Sequence, residues 1–138
     1  MSDPAPARDD DDVLEAVFRH QFTHHAALRR ETAALYCLAL DDDQDPSADF
    51  LRRFAAHLPP VVAASRCALT AEGEVQDRDN GAPALLFRVT ALRRLGDDEA
   101  EARAEYLEGW LCGAGSTYRV VRRDGQWVVT DDRMRWIS

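Results

Sequence analysis

A chain of 138 residues, 46% hydrophobic and 30% charged, has the size and balance of one globular domain that can bury a core without disulfides or metal, and is too polar and mixed for a fibrous, disordered or membrane protein. Its formal net charge of -8 spreads a negative field that repels phosphate backbones and anionic lipid, which excludes nucleic acid and membrane surfaces as expected partners but leaves a basic protein open. All 17 basic residues are Arg; with no Lys the chain can form no Schiff base, lysine nucleophile or phosphate-loop lysine.

Residues 1–11, rich in Pro, Ala and Asp, are expected to be a disordered tail without the apolar stretch of a secretory signal, leaving a single domain over 12–138. A helix is expected from about Asp12 to His24, because Val13, Leu14, Val17, Phe18 and Phe22 recur at helical spacing and Asp9 to Asp12 set negative charge at its start. Ala33 to Leu40 is apolar on both faces and is assigned as a covered strand. Asp45 and Pro46 pair as N-cap and first residue of a second helix, whose stripe Phe50, Leu51, Phe54 and Leu58 is stopped by Pro59 and Pro60.

The texture then changes to strands: Ser65 to Thr70 and Ala84 to Leu95, joined by a loop with the turn signal Asp79-Asn80-Gly81. In Glu99 to Cys112 the Ala and Glu content favours helix, yet Ala100, Ala102, Ala104 and Tyr106 alternate with charged residues behind the hairpin signal Gly96-Asp97-Asp98, so a strand is expected. Gly113 to Gly115 is assigned as a turn. Ser116 to Arg123 and Gln126 to Thr130 flank the hairpin signal Asp124-Gly125, and Met134 and Trp136 alternate with Arg133 and Arg135, extending the strand pattern to the C-terminus. The expected fold class is α+β, a curved antiparallel sheet of about five to six strands packed on two helices and ending in a β-meander. Cys37, Cys67 and Cys112, odd in number and set in apolar stretches, point to reduced, buried side chains and a cytoplasmic protein.

The last hairpin, from Tyr118 through Asp124-Gly125 to Trp127 and Val129, resembles the closing hairpin of ketosteroid-isomerase-like domains, the nuclear-transport-factor-two-like superfamily. The resemblance implies a cone-shaped pocket formed by a curved sheet around helices. From Val13 to Ser138, including Tyr36-Cys37-Leu38, Asp45-Pro46-Ser47 and the ending Asp132 to Ser138, the chain is also similar to small uncharacterised bacterial proteins, which implies no activity.

Candidate chemistry is sparse. His20 and His24 stand four apart, a spacing that can offer two metal ligands, but neither His25, His57 nor any carboxylate completes a set, so no metal is expected. Asp41, Asp43 and Asp45 alternate like a calcium loop, with Pro46 where the loop needs Gly and Arg52 where it needs Glu. Glu108 shares its strand face with Ala104, Tyr106 and Trp110; turned inward, its carboxylate would be desolvated and could act as a general base, whereas a bulge at Gly109 would turn it to solvent. Tyr36, Tyr106 and Trp110 are the expected pocket residues, and no cofactor is expected. The expected function is a non-catalytic binding or interaction module, as a homodimer. The alternatives are a small-molecule binder or isomerase- or hydrolase-like enzyme with a pocket between sheet and helices, and an acidic inhibitor or immunity-type protein for a basic partner.

Overall fold

The computed structural model describes residues 4–24, 33–109 and 112–137; of residues 4–9, 108, 109, 112, 113 and 135–137 it describes the backbone alone. The first helix, α1, spans Pro4–His24 and so begins well before Asp12; Asp9 to Asp12 lie within it rather than at its N-terminus. Its expected stripe holds, with Val13, Val17 and Phe18 sealed from solvent and Phe22 nearly so.

Strand β1 (Leu35–Ala39) is buried along its whole length, as its two-faced apolar sequence requires. A 3-10 turn over Asp41–Asp43 leads to the short helix α2 (Ala48–Arg52) and to β2 (Val61–Ala63). The cap of α2 is Ser47, whose hydroxyl accepts from the Phe50 N–H at 3.1 Å, and not Asp45, whose carboxylate accepts from the Ser65 N–H at 2.9 Å. After Arg52 the chain continues in i to i+3 bonds, such as Phe54 N to Leu51 O and His57 N to Phe54 O. Phe50 and Phe54 are buried by this path, but Leu58 ends 84% exposed, so the expected stripe stops one turn early.

A short hairpin follows, β3 (Cys67–Leu69) with β4 (Val75–Asp77), and then the long strands β5 (Ala84–Gly96), β6 (Glu99–Gly109), β7 (Cys112–Arg123) and β8 (Gln126–Ile137). The main sheet is a curved, open one of six strands in the order β2-β1-β5-β6-β7-β8, and the fold is α+β. From β5 to β8 the pairing is the expected antiparallel meander, with Asp124 and Gly125 both at positive φ in its last turn. β1 instead runs parallel to both neighbours, because the chain crosses through α2 before returning as β2. The strands β2 and β4, three residues each, are too short to carry an alternation pattern. Gly113 to Gly115 lies inside β7, paired with Leu107, Tyr106 and Glu105, and is not a turn. Its glycines precede a register shift between Gly115 and Ser116 against β8, the kind of strand irregularity that glycine permits.

The helices cover one face of the sheet. There Val13, Val17, Phe18 and Phe22 meet Tyr36, Leu38, Phe50, Phe54, Leu85, Phe87, Val89, Ala100, Ala102, Ala104, Tyr118 and Val120 in the principal core. Arg53 donates to Asp12 at 2.7 Å and to Glu15 at 3.1 Å, and Arg19 donates to the Arg53 carbonyl at 2.9 Å, clipping α2 to α1 at the rim of that core. The β3–β4 hairpin covers part of the opposite face over a second, smaller cluster of Leu35, Cys37, Cys67, Val75 and Ala84. Cys37 and Cys67 form a disulfide, correcting the expectation that both are reduced: the sheet brings residues 30 apart in sequence to a Cα separation of 6.3 Å, and spacing along the chain cannot reveal that approach. No described helix is long and apolar enough to cross a membrane.

Candidate functional site

Alternation along β5 sends Leu85, Phe87 and Val89 to the helix side and Ala84, Leu86 and Arg88 to the hairpin side. Across the antiparallel register Leu86 faces Leu107 and Arg88 faces Glu105 on β6, giving one apolar and one ionic cross-strand pair. The β3–β4 hairpin stands over the apolar pair and does not close on it. Between them lies a groove of about 420 Å³, floored by Leu86 and Leu107 and walled by Cys67, Leu69 and Val75.

The rim is polar. Arg88 reaches Asp43 with Nη2 at 2.7 Å and Glu105 with Nη1 at 3.2 Å, so its charge is met twice over. Asp43 is carried to Arg88 by two successive non-glycine residues in the left-handed region, Asp42 at φ 58° and Asp43 at φ 56°, a conformation that costs about 1–2 kcal/mol per residue. Asp41 accepts from the backbone N–H of Ala91 at 2.9 Å, at a bulge where β5 bends. The three alternating aspartates therefore diverge, Asp41 to Ala91, Asp43 to Arg88 and Asp45 to Ser65. Within the hairpin, the Asp77 carboxylate accepts from the Asp79 N–H at 2.9 Å and pairs with Arg66 at 3.1 Å, and these interactions, the backbone bond foremost, hold its pKa below the ordinary aspartate value.

Of the pocket residues expected from the sequence, Tyr36 and Tyr106 lie on the helix side. Tyr36 is sealed in the core, its ring 5.0 Å from those of Phe22 and Phe87, and does not line the groove. Tyr106 is half-buried beside Phe87 on the same face. Trp110 and the Glu108 side chain lie outside the described residues, although the register of β6 against β7 shifts between Leu107 and Gly109, leaving Glu108 at the irregularity. His20 and His24 stack ring on ring at 4.0 Å; His20 also meets the edge of Tyr118 at 5.0 Å and stands 3.5 Å from Asp132. Burial, and then the Asp132 charge, raise the Tyr118 pKa well above the ordinary phenol value, against the opposing hydrogen bond with Ser116. A further depression of about 470 Å³, between α1 and the β7–β8 turn, is lined by Asp12, Glu15, Ala16, Arg19, Gln126 and Trp127 and is more polar than the groove.

Sequence reasoning overlooked Arg88, Leu86 and the hairpin. A signal for them existed: Ala84 to Phe87 is apolar at every position, which means that both faces of β5 are covered, whereas two helices can cover only one. No family model, curated protein or solved structure matches the chain.

Proposed function

We propose that this chain is a non-catalytic binding module whose site is the groove between the β3–β4 hairpin and the sheet, and that its ligand is a small molecule with an apolar body. The observation that carries the reading is the groove itself: a concave volume of about 420 Å³ with leucine, valine and cysteine walls and a single charged cluster at one end is the usual anatomy of a ligand site. Arg88, already engaged by two carboxylates, orients a ligand through the rim rather than presenting a free cation. Residence in the cytoplasm belongs to the same reading, and places the disulfide within reach of a thiol pool.

A second reading, an isomerase- or hydrolase-like pocket on the helix side, draws on the ketosteroid-isomerase-like resemblance and on one observation, the buried Tyr118 phenol flanked by Ser116, Asp132 and His20. One experiment separates the two. Methyl-labelled protein is screened by NMR against uncharged aromatic and aliphatic fragments. Shifts at Leu69, Val75, Leu86 and Leu107 that vanish in Ala68→Trp, a bulky substitution at another residue lining the groove, are the expected result. Shifts confined to Val120, Ala102 and Ala104 transfer the site to the helix side, and a screen with no shifts on either side overturns the groove reading.

A further inference from the structure

The β3–β4 hairpin is stiff within itself and loosely tied to what it covers. Arg66 pairs with Asp77 and Asp79, and Arg78 donates to the carbonyls of Ser65 and Cys67, both at 3.1 Å; all these bonds join residues of the hairpin and its flanks to one another. Among the described residues its connections to the sheet and the adjoining loops are few. The backbone supplies the Gln76–Pro83 bridge and the bond from Asp77 N to Ala82 O, the Asp45 carboxylate takes the Ser65 N–H, and apolar contact comes from a small cluster in which two of five buried residues are the disulfide cysteines themselves. The covalent link from Cys67 on the hairpin to Cys37 on the interior strand β1 is therefore the strongest tie between the groove wall and the sheet.

The two sulfurs differ in access. Cys37 is sealed, on a strand with neighbours on both sides, whereas Cys67 is 8% exposed and lines the groove. A thiolate must reach the sulfur it attacks, and the groove is the open space that Cys67 lines. We propose that the Cys37–Cys67 disulfide is a redox clamp on the groove: reduction frees the hairpin and removes a wall, and filling the groove shields the disulfide from thiols. The reductant is a dithiol. One thiolate attacks Cys67 Sγ, the Sγ–Sγ bond breaks and Cys37 leaves as a thiolate that takes up a proton. The second thiol of the reductant, as thiolate, then displaces Cys67, which is protonated in turn, while the reductant closes to its own disulfide; two electrons pass from dithiol to protein. By linkage, whatever fills the groove better in the clamped state must disfavour reduction to the same degree.

The shielding half rests on the groove reading, but its test needs no ligand, so the two can fail separately. The full chain is treated with dithiothreitol, quenched by alkylation, and thiols at Cys37 and Cys67 are followed site by site by mass spectrometry, which keeps Cys112 apart. Filling the groove with Ala68→Trp is expected to slow reduction by about fivefold or more, and opening it with Leu69→Ala to accelerate it. Equal rates in the wild type and both variants overturn the shielding. For the clamp, methyl spectra of the reduced wild type are compared with the oxidised form well below its melting temperature, with the double variant Cys37→Ala/Cys67→Ala as a second source of the unlinked state. Changes confined to Val62, Leu69, Val75, Leu86 and Leu107, with Val13, Val17, Leu85 and Val120 unmoved, are expected. Unchanged hairpin methyls, or changes spread equally over both faces, overturn the clamp.

Discussion

The two faces of the sheet are held in different ways. On the helix side, helix and strand side chains interdigitate in a core that includes seven aromatic rings, Phe18, Phe22, Tyr36, Phe50, Phe54, Phe87 and Tyr118, each no more than 4% exposed. On the hairpin side the apolar cluster among the described residues has five buried members, and a disulfide ties two of them. A large apolar area removed from water supplies its own cohesion, whereas a small patch cannot offset the entropy of ordering a hairpin over it, and a covalent link compensates. The groove lies beside the smaller cluster.

The comparison can be broken most forcefully from the helix side. Phe87→Ala removes a ring that touches Phe22, Tyr36 and Tyr106, and should lower the unfolding free energy in denaturant titrations by about 3–5 kcal/mol. A loss below about 1 kcal/mol would mean that this core is loosely packed. On the hairpin side the leading single loss should be the disulfide. Opening the 30-residue separation between Cys37 and Cys67 in the double alanine variant should cost roughly 3–4 kcal/mol by the chain-entropy argument. An unchanged denaturation midpoint would make the link incidental.

Titration sharpens the contrast, because the two faces should weaken at opposite ends of the pH scale. Tyr118 has a raised folded pKa, so its contribution is complete below the unfolded value, about 10, and is lost as pH rises toward the folded one. Asp77 has a lowered folded pKa, so its contribution is complete above the unfolded value, about 3.9, and is lost as pH falls through the folded one. Melting curves should fall off at the alkaline end in the wild type and less so in Tyr118→Phe, and Asp77→Asn should flatten the acid limb. The smallest effect belongs to the cap of α2: Ser47→Ala should cost about 1 kcal/mol, and Asp45→Ala should leave the Phe50 amide shift unmoved, since Asp45 does not bond it.

Local physics made much of this protein legible. The stripe of α1 follows from helical period, and the strand over Glu99–Gly109 follows from strict alternation winning over the helix propensity of Ala and Glu. The Asp124-Gly125 turn follows from the need for positive φ at both its positions. In each case the deciding interaction lies within a few residues of chain. The start of α1 at Pro4, the exposed Leu58 and the exposed Met134 at the end of β8 escape such reasoning, since each depends on where packing stops.

What the sequence determined by itself was therefore the type of the long elements, the meander and the core stripe of α1, because a periodicity of 3.6 or 2 fixes which side chains share a face whatever that face meets. What only the tertiary structure decided was which partner each face meets. The parallel placement of β1 between β2 and β5 is one such decision. The convergence of Asp43 and Glu105 on Arg88 is another, and so is the approach of Cys37 to Cys67 across 30 residues. These are contacts between segments distant in the chain, each requiring a loop to close and a crossover to choose its side, and no local pattern records that choice. The groove is made entirely of such contacts.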